Sequence, residues 1–198
     1  MKLKTTVIIN EVTNLSDARY CAGMGVDFIG FRIDPGHAKY VDLENYNEIT
    51  NWVAGIKFIG ESATIADFNN IDHNIDQMIL DDIGLLPQYN GEPALWSVSI
   101  NDINEHKALI ANNKAKVSGI VLTSDKNEIT EEYKNQITAL ASDLDIFLSF
   151  GINKGNVIEL INELPIKGLS LKGSDEIRPG FKDYDELADI LEQLEDED

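Results

Sequence analysis

Five carboxylates, Glu11, Glu61, Asp81, Asp82 and Asp125, each fall at the end of a short apolar run rich in β-branched residues. Acids gathered from separate strand ends can do two kinds of chemistry. One of them, desolvated and crowded by like charge, can hold a proton near neutral pH and act as a general acid or base, or two can bind a hard divalent cation. No ligand spacing supports a metal, and a chain with 35 acidic residues places several of them anywhere, so acids with no shared role are the plain expectation. Arg32 closes the run "DFIGF", where it can pair with a carboxylate such as Glu11 or face a ligand. His37, in the loop behind it, can titrate near a ligand, but a solvated loop histidine is the simpler reading. Cys21 lies inside a helical stretch and reads as a small buried hydrophobe; as the sole cysteine it allows no intramolecular disulfide.

These residues need elements to position them. Short β-rich runs alternate with stretches of helical period along all 198 residues, the pattern of repeated βα units around a parallel sheet. The strand candidates are "TTVIIN", "VDFIGFRI", "IKFIGE", "QMILDD", "ALWSVSI", "VSGIVLTS", "DIFLSFG" and "KGLSLKG". The helix candidates are "LSDARYCAGMG", "LENYNEITNWVA", "TIADFNNID", a weak "IGLLPQYN", "NDINEHKALIANN", "ITEEYKNQITALAS", "KGNVIELINEL" and "KDYDELADILEQLE". Ser16 is expected to cap the first helix with Asp17 in its first turn, and Asn101 or Asp102 the fifth. Eight units of this size predict an α/β fold, a single-domain (β/α)₈ barrel over residues 1–198, with an open doubly wound sheet as the alternative. The closing "LEQLEDED" reads as a helix running out into an acidic tail. In such a barrel the ligand site lies at the C-terminal ends of the strands.

The balance of 16 basic against 35 acidic residues gives a formal charge of −19, which repels a phosphate backbone and excludes nucleic acid as an expected partner. No apolar run is long enough to span a bilayer, and "MKLKTTVIIN" lacks a signal-peptide core, so no membrane partner and a cytoplasmic setting are expected. A small anionic ligand is compatible with this charge, because a few N–H groups and one lysine suffice to hold it.

Two segments resemble the phosphoribosylanthranilate isomerase family. "VTNLSDARYCAGMGVDFIGF", residues 12–31, is similar to that family's first helix and second strand. Residues 150–194, from "FGINKG" to a near-match of "PG-x-KD" at Pro179, Gly180, Lys182 and Asp183, are similar to its last two phosphate-binding strands. The resemblance implies a (β/α)₈ barrel of tryptophan biosynthesis that performs an Amadori rearrangement without a cofactor. The family uses a cysteine base after the first strand and an aspartate acid after the sixth, because one proton must leave C2 while another reaches the ring oxygen. This chain has Asn10 and Thr123 at those positions, with Glu11 in place of the glycine that follows the cysteine and Asp125 two residues beyond Thr123. The family's carboxylate-binding arginine is matched by Lys39, which keeps the charge without the bidentate fork. Its phosphate-binding glycines are matched by Phe150 and Gly151, and by Lys172, Gly173 and Ser174, with Phe150 bulky enough to fill the space.

The expected function is an isomerase-like barrel whose acid–base pair is replaced, with activity lost or altered, that binds a small phosphorylated or carboxylated molecule through Arg32, Lys39, Gly151, Lys172, Gly173 and Ser174 as a monomer or homodimer. An active isomerase that uses Glu11 or Asp125 is a further reading. The alternative from another class is a non-catalytic binding or assembly partner of a metabolic enzyme, which calls for an exposed apolar patch on the outer helices.

Overall fold

The computed structural model describes residues 2–64, 73–172, 176–178, 181–182 and 185–196. Eight parallel strands close on themselves in chain order: β1 (Thr6–Asn10), β2 (Phe28–Arg32), β3 (Lys57–Ser62), β4 (Gln77–Leu80), β5 (Ala94–Ser99), β6 (Val117–Thr123), β7 (Ile146–Leu148) and β8 (Gly168–Lys172). Seven of these strands lie within the expected segments, and β3 runs one residue past "IKFIGE", to Ser62. Pairing of β1 with β8 along five residues completes the ring and rules out the open doubly wound sheet. A short antiparallel pair, β9 (Glu176–Arg178) with β10 (Phe181–Lys182), follows β8.

Helices α1 (Leu15–Gly23), α2 (Leu43–Thr50), α3 (Ile103–Asn112), α4 (Glu131–Leu140), α5 (Val157–Glu163) and α6 (Asp185–Gln193) are the described α-helices. The third helix candidate, residues 64–72, lies almost wholly outside the described residues. The fourth is a correction: "IGLLPQYN" holds only a 3₁₀ turn, Ile83–Leu85, because Pro87 denies a continuing helix its backbone donor. The caps also differ from expectation. Asn14, two residues before Ser16, caps α1 by accepting from the Asp17 N–H at 2.9 Å. Asp102 occupies the cap position of α3 but makes no side-chain cap bond, and Asn101 turns away toward Asp125. In α2 the cap is Asp42, whose carboxylate accepts from the Asn45 N–H at 2.8 Å. Asp42→Ala is expected to lower stability by about 1 kcal/mol in urea unfolding; an unchanged midpoint would show that the capping bond contributes nothing.

Strand alternation separates two cores. Ile8, Ile59, Ile79, Leu95, Val121 and Phe147 fill the barrel interior, while Val7, Ile9, Ile29, Phe31, Trp96 and Leu148 face outward under the helices. Cys21 is buried in this outer layer, as expected of a small hydrophobe. At the seam Gly168 sits opposite Thr6, and a side chain on Gly168 would strike the Thr6 carbonyl. Leu194 to Asp196 return along residues 2–4, with the Lys4 N–H donating to the Leu194 carbonyl at 2.9 Å. Among the described residues, no helix is long and apolar enough to cross a membrane.

A carboxylate cluster around Arg32 at the barrel mouth

Register decides what meets at the C-terminal rim. Asn10 ends β1 opposite Lys172 of β8, and Arg32 ends β2 opposite Glu61 of β3. The apolar interior layer closes the barrel below these positions, so the side chains here face one another. Arg32, only 8% exposed, lies among four carboxylates. It donates to Asp81, its guanidinium lies 3.6 Å from Glu11 and 3.7 Å from Glu61, and Asp34 is 4.0 Å away. Burial opposes the guanidinium charge, but Asp81, Glu61 and Glu11 outweigh it and hold Arg32 firmly protonated.

Glu11 sits at the centre of a second set of contacts. The Lys39 ammonium, on the loop after β2, lies 3.0 Å from one carboxylate oxygen. The Lys172 ammonium donates to the other at 2.8 Å. Burial pushes the Glu11 carboxyl up, yet hydrogen bonds from Lys172 and Lys39 and their charges hold it at about 2. His37 accepts the Lys39 backbone N–H at 3.1 Å in the loop after β2.

The Glu11 backbone has a φ of 58°, in the left-handed region that disfavours a side chain by about 1–2 kcal/mol. Two hydrogen bonds hold it there. Its N–H donates to Glu61 at 2.7 Å, and the Val12 N–H donates to the Gly30 carbonyl at 2.8 Å. Gly30 makes the first of these possible, because any side chain on this inward-facing residue would collide with the Glu61 carboxylate. Glu61 is 3% exposed. Burial pushes its carboxyl up to about 7, against the Glu11 N–H and the Arg32 charge, with Glu11 and Asp81 adding to the rise.

Asn10 is buried and donates from its amide to the Ser170 hydroxyl at 2.6 Å. Its other amide atom finds no partner among the described residues, and exchanging O for N by a flip would leave one atom orphaned in either orientation.

Of the five carboxylates read from the sequence, Glu11, Glu61 and Asp81 converge, while Asp82 and Asp125 do not. Asp82 caps the 3₁₀ turn by accepting from the Gly84 N–H, and Asp125 is exposed and held by Asn101 at 3.2 Å. Among the described residues no group of three or more acids, histidines or cysteines suits a metal ion. Thr123 ends β6 half-buried, in register with Ser99.

At the end of β7 the concern over Phe150 is corrected. Its ring is buried in the outer core, edge-on to Tyr133 of α4 at 5.8 Å. The Gly151 N–H, with φ at 66°, is instead taken by the Asn127 side chain at 2.9 Å. Asn127 was not legible as a site residue, being one of several polar residues in "DKNEITEEY". Gly173 and Ser174, with Pro179, Gly180 and Asp183, lie outside the described residues, and nothing is described of the Lys182 side chain.

No family model matches the chain. Two curated proteins align with it over nearly their whole length. An N-(5'-phosphoribosyl)anthranilate isomerase of Sulfurihydrogenibium is 24% identical over 94% of this chain and 97% of its own. One from Microcystis aeruginosa is 26% identical over 93% and 94%. Among solved structures, the phosphoribosylanthranilate isomerase of Thermotoga maritima superposes with a TM-score of 0.75 at 18% identity, covering 96% of this chain and 98% of that one. The Thermus thermophilus enzyme gives 0.72 at 16% identity, with the same coverage.

Proposed function

We infer, for a chain that is a divergent member of the phosphoribosylanthranilate isomerase family, that the barrel mouth binds a small carboxylated molecule and does not carry out the Amadori rearrangement. The observation that carries this reading is the convergence of Lys39 and Lys172, from two different rim segments, on the two oxygens of one carboxylate, that of Glu11. A site that holds one carboxylate in this way has the charge and spacing to hold another.

Proton transfer requires a base within reach of the substrate and with a suitable pKa, and the residues at the family's positions, with Glu11, Glu61 and Asp125, each lack one or the other. The Asn10 amide, at the position of the family's cysteine, has no useful basicity. Glu11 has its proton affinity removed by two lysines. Glu61 has a fitting pKa near 7, but one oxygen accepts from Glu11 and the carboxylate is sealed beneath it. Asp125 is solvated and turned toward Asn101, and no acid stands at Thr123. A phosphate arm would have to displace Asn127 from Gly151 or rely on residues 172–174.

The alternative of an assembly partner draws less support. Among the described residues the large exposed hydrophobics are Tyr40 and Trp52, and Arg19 lies over the Trp52 ring at 5.5 Å, so no extended apolar patch forms around them.

A single-turnover assay with freshly generated phosphoribosylanthranilate is expected to give no product above the blank. Calorimetry with reduced 1-(o-carboxyphenylamino)-1-deoxyribulose 5-phosphate, the ligand named for one solved isomerase complex, is expected to show binding that weakens tenfold or more in Lys39→Met. Product formation would overturn the loss of chemistry, and absence of binding at millimolar ligand would overturn the binding site.

A further inference from the structure

We propose that Glu11 is a built-in occupant of the mouth: its carboxylate fills the place of a ligand carboxylate between Lys39 and Lys172, so the site is closed by its own chain until Glu11 is displaced or removed. This rests on the mouth being an anion site and goes beyond it by saying what occupies that site in the unliganded protein.

Three independent features of the fold support it. Lys39 reaches Glu11 from the loop behind β2 and Lys172 from the end of β8, and each takes a separate oxygen, at 3.0 and 2.8 Å. A surface ion pair would not ordinarily draw two lysines from opposite flanks of β1 onto one 9%-exposed side chain. Second, the backbone at Glu11 adopts a glycine conformation while carrying a charged side chain, and it is fastened there by Glu61, which fits only because Gly30 has no side chain. The backbone conformation therefore suits a residue without a side chain, and the bond to Glu61 that fixes it comes from the backbone N–H and not from the Glu11 carboxylate. Third, Asn10, immediately before Glu11, keeps one buried amide atom without a partner among the described residues. A ligand carboxylate in the place of Glu11 that carries an adjacent hydroxyl or amino group is expected to supply that atom with a partner. The chemistry selected is a small carboxylate with a neighbouring hydrogen-bonding group.

The test removes the occupant and supplies its functional group from solution. Glu11→Gly suits the left-handed backbone, so the variant is expected to fold, and circular dichroism verifies this before any titration. Titration with ¹³C-labelled acetate, at constant ionic strength against chloride, is expected to show at least tenfold tighter binding to Glu11→Gly than to the wild type. Glycolate, which adds one hydroxyl, is expected to bind the variant more tightly than acetate does, and the double variant Glu11→Gly/Lys172→Met is expected to lose the acetate response. Glu11→Gln, which keeps the bulk without the charge, is expected to lie between wild type and Glu11→Gly.

If the folded Glu11→Gly binds acetate no better than wild type, Glu11 is not an occupant and the proposal falls, whatever the wild type binds. If wild type and variant take up the reduced phosphoribosyl analogue equally well, the anion site stands and its closure by Glu11 is refuted. If the variant binds acetate while wild type takes up no ligand, closure by Glu11 stands and the binding role of the unmodified chain fails.

Discussion

Replacing Arg32 by methionine is expected to destabilise the barrel by about 3–5 kcal/mol at pH 8, the range found when one partner of a buried ionic network is deleted. Methionine roughly preserves the volume of the side chain, so the loss is chiefly electrostatic. Asp81, Glu61 and Asp34 would then lie near the rim without the guanidinium, and Glu11 would retain only Lys39 and Lys172. The penalty is expected to shrink as pH falls toward 4, because a carboxylate without its cation escapes the desolvation penalty by taking a proton. Arg32→Lys keeps the charge but cannot reach several acids with a planar fork, and is expected to recover part of the loss. Urea unfolding of both variants at pH 8 and pH 5 checks this. A methionine variant within about 1 kcal/mol of wild type at pH 8 would mean that the acids are already relieved by water or protonation, and that Arg32 does not hold the mouth together.

That cluster was partly legible in the sequence. Barrel architecture carries a simple rule, chemistry at strand ends, and the end of each β-rich run named Glu11, Arg32, Glu61, Asp81 and Lys172 without knowledge of any contact. Alternation along a strand then decides which of two neighbours faces inward, and Asp81 and Asp82 show how fine that decision is. Asp81 reaches Arg32, whereas Asp82, one residue on, turns to cap the 3₁₀ turn. Composition is silent on such a choice because both residues are the same.

Other features left weaker signals. Gly30 stands inside "DFIGFR", and a glycine within a strand marks close approach of another group; here that group is the Glu61 carboxylate, from a strand whose register is invisible in one dimension. Positive φ at Glu11 could not be inferred from glutamate's own preferences, which oppose it. Only the resemblance, which places a glycine there, pointed to an unusual backbone. At α1, Asn14 and Ser16 are both good caps, and their ranking depends on where the chain leaves β1. Size alone does not place Phe150, which packs against Tyr133 in the outer core two residues beyond the end of β7.

Glu61→Gln is expected to flatten the dependence of stability on pH between 5 and 8, and to leave the variant the more stable protein at the alkaline end. The sign follows from the direction of the shift. Glu61 has its carboxyl raised from 4.5 to about 7, so the fold favours the protonated form. That preference contributes fully below pH 4.5 and is lost as pH rises through 7. The shift corresponds to about 3 kcal/mol, so wild type is expected to lose most of that amount relative to the variant between pH 5 and pH 8. Glutamine keeps a carbonyl oxygen to accept the Glu11 N–H, one of the two bonds that hold the left-handed backbone, and removes the proton equilibrium. Every other titratable group is common to both proteins and cancels in the difference, which makes the gap between the two profiles the quantity to measure. Glu11 works in the opposite sense: its carboxyl, held at about 2, contributes stability above pH 4.5 that is lost as pH falls through 2, outside this window. Parallel profiles for wild type and variant from pH 5 to pH 8 would show that Glu61 is ionised throughout, with Arg32 compensating for its burial. A gap that opens with a midpoint near pH 7 would identify Glu61 as the proton-holding carboxylate at this rim.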